Sequence, residues 1–208
     1  MSLKRPIARL VLAAVACILA SGCVSLFPKG PAAQLYRFGA EGPAMPAAAS
    51  PSQLVIAHGP VDFDSAAATD RILTITGQDA AYIEASRWIA PAPVLFEEAL
   101  ERQFQRTPGA PRLVARGTLL RAPLAMSLDV QTFEARYDHG ADGSPTVRVA
   151  MHVTVFRTED RTVAGETMIT SDKPAGDNRV GAIVQAYDLA VQDVLAQLIT
   201  WTSGLKAA

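Results

Sequence analysis

The sequence predicts an α+β fold: a mostly antiparallel sheet with two main helices packed on one face, preceded by an extended tether. Three observations carry this. Val147, Val149, Met151, Val153 and Val155 alternate with Arg148, His152 and Thr154, the period of a half-buried strand. Between Asn178 and Trp201, Val180, Ile183, Val184, Tyr187, Val191, Val194, Leu195 and Leu198 recur in steps of three and four, the period of an amphipathic helix. The stretch from Val24 to Ser52 is broken by Pro28, Pro31, Pro43, Pro46 and Pro51, and forms the tether.

The chain begins with an export signal over residues 1–22. Lys4, Arg5 and Arg9 supply its positive region, and Leu10 to Ala20 is an unbroken apolar run of about half the length a membrane span needs. The run ends in Leu19-Ala20-Ser21-Gly22-Cys23. Small residues before a cysteine resemble the lipobox of bacterial lipoproteins, with Ala20 a departure from the leucine usual there. The resemblance implies cleavage before Cys23 and acylation of its thiol and new amine. Such palmitate-type chains bury CH₂ groups at about 0.8 kcal/mol each. Val24 is not aspartate, so lipoprotein sorting by resemblance favours the outer membrane over the inner.

The domain proper is expected over residues 53–208, after a lipidated tether at 23–52. Leu35-Tyr36-Arg37-Phe38 is an alternating island that fits a first strand. Leu54-Val55-Ile56 is a strand, and Arg71–Thr76 and Ala81–Trp88 form a hairpin around Gly77-Gln78-Asp79. Pro91 and Pro93 open a helix that places Phe96, Ala99, Leu100, Gln103 and Phe104 on one face. Four strands follow as a meander: Arg112–Arg121, Leu124–Tyr137, Thr146–Thr158 and Arg161–Thr170. The second changes phase near Thr132-Phe133, which predicts a β-bulge. Asp177 or Asn178 is expected to cap the final helix, and Gly204 to end it.

Composition narrows the function. Of 208 residues, half are hydrophobic and 19 % charged, too apolar for a disordered chain. A net charge of −1 argues against nucleic-acid binding. Loss of Lys4, Arg5 and Arg9 with the signal leaves 16 basic against 20 acidic residues. The chain has two cysteines; Cys17 leaves with the signal and Cys23 is acylated, so no cysteine chemistry is expected in the mature protein. His58, His139 and His152 lack metal-ligand spacing, and each is expected to be solvated. Asp62-Phe63-Asp64 lacks the glycine and distal carboxylate of a calcium loop. Glu97-Glu98 fits a solvated helix face. No nucleophile elbow or phosphate-binding loop occurs, so no catalytic residue, metal site or cofactor is expected.

One stretch is distinctive in content: Gly59-Pro60-Val61, Thr69-Asp70-Arg71-Ile72, Tyr82, Arg87-Trp88-Ile89-Ala90-Pro91 and Ala99-Leu100. Its order and spacing resemble the ABC-type transport auxiliary lipoproteins of the paraquat-inducible C type (DUF330-like). Leu35-Tyr36-Arg37-Phe38 resembles that family's early strand. The resemblance implies a non-enzymatic component working beside an ABC transporter and an MCE-domain lipid-binding protein, at the outer-membrane end of a lipid path. A homo-oligomer that surrounds a channel is expected. An assembly lipoprotein like the plug of the lipopolysaccharide-export channel is the alternative. The motif residues Asp70, Arg71, Tyr82, Arg87 and Trp88 are expected to be structural, with Arg71 pairing a carboxylate and Trp88 closing the core.

Overall fold

The computed structural model describes residues 32–39, 54–115, 117 and 121–206. The export signal, Cys23, most of the tether and part of the expected strand 112–121 lie outside them. The described residues form nine strands and two helices. In chain order these are β1 (Gln34–Tyr36), β2 (Val55–His58), β3 (Asp62–Phe63), β4 (Arg71–Thr76), β5 (Asp79–Trp88), α1 (Ala92–Arg106), β6 (Arg112–Ala115), β7 (Leu124–Arg136), β8 (Thr146–Arg157), β9 (Val163–Pro174) and α2 (Val180–Ser203).

The compact unit begins at Ala33, earlier than the expected residue 53. The island Leu35-Tyr36-Arg37-Phe38 is the reason. Its alternation turns Phe38 into the core and packs Tyr36 against it, while Leu35 stays exposed. The sheet is mixed. Its long ladders β7–β8 and β8–β9 are antiparallel, as is the β4–β5 hairpin. The short strands β2, β3 and β4 pair in parallel with successive parts of the other side of β7. The expected four-strand meander is therefore three strands, β7 to β9; β6 leaves it to pair in parallel with β2. Thirteen residues of β7 give one strand enough length to hold three short neighbours.

The bulge falls where the phase of β7 changes. Leu124, Met126, Leu128 and Val130 are buried, then Phe133 and Ala135. Val130 lies opposite Met151 and Thr132 opposite Ala150, so Gln131 is the extra residue. The inward row of β8, Val147 to Val155, is fully buried. It packs with Ile183, Tyr187, Val191, Val194 and Leu198 of α2 in one core. α1 adds Leu95, Phe96, Leu100 and Phe104. No helix among the described residues is long and apolar enough to cross a membrane.

The start of α2 departs from expectation. Arg179 occupies the cap position and no side chain caps the helix. Asp177 accepts the Arg179 backbone N–H and pairs with its guanidinium. Asn178 instead holds the β7–β8 loop, accepting from the Tyr137 hydroxyl at 2.7 Å and donating to Ala141 O at 3.1 Å. Gly204 does end the helix, but in a right-handed conformation with φ −81°.

Candidate functional site

The distinctive motif folds into one corner of the sheet, built by the β4–β5 hairpin with β1 and the start of α1. Gly77 takes φ +61° in the two-residue turn, a conformation glycine adopts at little cost. At the other end of the hairpin the register slips: Leu73 faces Tyr82, yet Arg71 faces Arg87. Three extra residues of β5 are accommodated there, with Ala85 at φ +50°. The slip redirects Ser86–Trp88, which pair in parallel with β1.

Two arginines facing each other across strands would repel. The fold separates them. Arg87 Nη1 lies 3.0 Å from Asp70 Oδ1. The Arg71 guanidinium sits 3.8 Å above the centre of the Tyr82 ring, a cation–π contact. Arg71 thus stacks on an aromatic face rather than pairing with a carboxylate. The Tyr82 hydroxyl is anchored by donating to Ala66 O at 3.1 Å. Asp70 also contributes its backbone carbonyl, which accepts the Trp88 N–H at 2.7 Å. Asp70, Arg71, Tyr82 and Arg87 therefore form two adjacent pairs that fix the hairpin to its neighbours.

Trp88 points inward and is 2 % exposed. Its ring meets Phe38 edge-on at 5.0 Å and Tyr187 at 5.2 Å, with Phe133 at 6.4 Å. Phe63 and Phe96 extend the cluster beneath α1. The Tyr187 hydroxyl donates to Leu73 O at 3.0 Å, and burial pushes its pKa well above the ordinary phenol value. One aromatic cluster thus ties β1, β5, β7, α1 and α2 together.

His58 departs from the solvated side chain expected. Its side chain is 3 % exposed, with Nδ1–H donating to Gly59 O at 3.1 Å. Nε2 lies 3.6 Å from Glu101 Oε1 and Nδ1 4.0 Å from Glu97 Oε1. Those two glutamates share a face of α1, so His58 joins β2 to that helix. Its phase with buried Ile56 along β2 was the available signal. His152 meets Glu166 across the outer face of the sheet at 2.6 Å, while His139 is exposed in the β7–β8 loop. That outer face also carries Arg148 on Asp172 at 2.7 Å, and this hydrogen bond holds the Asp172 carboxyl below its usual range.

Gly39 is a feature the sequence reading missed. Its φ is +67°, and an added Cβ would lie 2.5 Å from the Cβ of Ala99 on α1. Its N–H donates to Asp188 Oδ1 of α2 at 2.6 Å, so the end of β1 is clamped between both helices. Beside it lies a small cleft of about 110 Å³ lined by Arg102, Gln103, Arg106 and Gln192. No group of three or more His, Cys, Asp or Glu side chains that could hold a metal occurs among the described residues.

These elements define a class: an α+β domain whose Asp70, Arg71, Tyr82, Arg87 and Trp88 meet neighbouring strands and the core. The chain belongs to the ABC-type transport auxiliary lipoprotein component family, whose model matches residues 36–199. The fold is similar to the crystal structure of a DUF330 protein from Xanthomonas campestris, with a TM-score of 0.66 and 18 % identity over 82 % of this chain and 92 % of that one. It is also similar to an uncharacterised protein of known crystal structure, with a TM-score of 0.62 and 10 % identity over 82 % of this chain and 99 % of the other. No curated protein matches the sequence.

Proposed function

We propose that this protein is the outer-membrane, lipid-anchored docking component of an ABC transport system of the MCE type, which moves lipid between the membranes without catalysis by this chain. The observation that carries the reading is family membership over residues 36–199, in a chain whose Leu19-Ala20-Ser21-Gly22-Cys23 resembles a lipobox upstream of it. Acyl groups on Cys23 hold the protein to the outer membrane.

The physical demand on the system is continuous shelter. Exposing a lipid chain to water costs about 0.8 kcal/mol per CH₂, so the path must remain closed along its length. A domain of this size does not both enclose a lipid and span the periplasm. Copies arranged in a ring around the end of a channel meet the demand with one chain and one repeated interface. The MCE-domain protein supplies the channel, and the ABC transporter supplies the energy.

Two measurements test this. The native protein should incorporate labelled fatty acid, and Cys23→Ser should abolish incorporation. Light scattering of the Cys23→Ser mature chain, alone and with the MCE partner, should show a multimer that binds. A strict monomer that neither binds nor crosslinks in cells overturns the docking reading. Copurification with a β-barrel instead would support an assembly lipoprotein resembling the lipopolysaccharide-export plug.

A further inference from the structure

Six large apolar side chains are conspicuously exposed among the described residues, and three of them gather at one corner: Leu35 at 58 %, Ile89 at 57 % and Val94 at 46 %. Leu35 on β1 lies in register with Arg87 of β5. Ile89 follows β5 directly, its N–H donating to Tyr36 O at 2.8 Å. Val94 is in the first turn of α1 and shares a face with Glu98, one turn on. Glu98 is 3.6 Å from Arg37, the next residue but one after Leu35. The three side chains therefore stand on neighbouring elements: β1, the residue that follows β5, and the first turn of α1.

This corner is also where the N-terminal chain joins the domain. Gln34 lies eleven positions after Cys23. Fully extended, that stretch reaches at most about 40 Å. With acyl groups on Cys23, the β1 corner stays within that reach of the bilayer. An exposed apolar patch there has a ready occupant.

We infer that Leu35, Ile89 and Val94 form a membrane-surface contact that seats the domain on the lipid headgroups beside its own anchor. The inference rests on the lipid anchor at Cys23. Charges beside the patch are paired: Arg37 and Arg102 each lie 3.6 Å from Glu98, and Arg87 lies 3.0 Å from Asp70. Apolar insertion thus supplies the contact, and the arginine stems lie along the interface with their heads in water. Seating of this kind depends little on anionic lipid or on salt.

The test uses the acylated mature protein in vesicles of phosphatidylethanolamine with phosphatidylglycerol, and in vesicles of phosphatidylcholine alone. Cys17 is removed with the signal and Cys23 is acylated, so an introduced cysteine is the only free thiol. A fluorescent label on Ile89→Cys or Val94→Cys should be quenched severalfold more by a lipid-borne quencher than one on Met168→Cys. Met168 is similarly exposed but lies on β9, at the opposite edge of the sheet. The result should be the same in both vesicle types. Adding Ile89→Ser and Val94→Ser together should abolish quenching of a label on Leu35→Cys without lowering the melting temperature.

Equal quenching at all three positions overturns the inference. So does protection of the patch in detergent with crosslinking between copies, which would assign it to a second protomer. Absence of fatty acid on the protein is a separate failure, of the anchor reading. In that event the Cys23→Ser chain, held to nickel-chelating lipid by an N-terminal histidine tag, still decides whether the patch seats on a bilayer.

Discussion

Replacing Trp88 with alanine should weaken the domain far more than any surface change in the distinctive motif. Trp88 is 2 % exposed and is the meeting point of Phe38, Phe133 and Tyr187. Removing a buried tryptophan costs about 3–5 kcal/mol through lost burial and the cavity left behind. Edge-on aromatic pairs contribute about 0.5–1.5 kcal/mol beyond area, and two of the contacts here have that geometry near 5 Å. For a domain of this size, 1 kcal/mol shifts the melting temperature by roughly 2–4 °C. A loss of about 6–20 °C is expected for Trp88→Ala. Trp88→Phe, which keeps an aromatic ring in place, should lose much less. Thermal unfolding followed by far-UV circular dichroism measures both. The chain has two tryptophans, so Trp201 still reports tertiary structure in the variant. An unchanged melting temperature together with lost partner binding would refute the structural role and make Trp88 a contact residue.

Gly39→Ala should destabilise by about 2–5 kcal/mol in chemical denaturation, because the left-handed backbone and the close approach to Ala99 both resist a side chain. Tyr187→Phe should cost about 1–3 kcal/mol, read the same way, since it strands the Leu73 carbonyl that the buried hydroxyl satisfies. Acid should remove a modest share of stability through Asp172 and Asp193. Hydrogen bonds from Arg148 and Lys173 lower their folded-state pKa values, so their contribution is complete above about pH 4 and is lost as pH falls through the folded values. Both pairs are partly exposed, which limits each to about 0–1 kcal/mol, and Asp172→Asn should flatten the acid limb of a stability–pH profile correspondingly.

Local pattern in the sequence determines most of the elements. The alternation of β8, the three-and-four spacing of α2, the proline-opened α1 and the glycine turn between β4 and β5 are decided by short-range geometry. Even the bulge is legible, because one extra residue at Gln131 reverses which side chains of β7 face inward. The order and spacing of Asp70, Arg71, Tyr82, Arg87 and Trp88 are where the sequence resembles the family whose model matches residues 36–199. What only tertiary structure decides is pairing. β6 runs beside β2 instead of β7, since a strand's period says which face it buries and not which edge it joins. Arg71 stacks on Tyr82 instead of pairing with a carboxylate, and Arg87 takes Asp70, where a slip of three residues in β5 sets the two arginines opposite each other. His58 is buried because α1 crosses β2 and brings Glu97 and Glu101 to it, a contact between residues some forty positions apart. Gly39 is needed because a helix sixty residues downstream leaves no room for a Cβ. Each of these depends on packing between distant segments, and no local pattern encodes that.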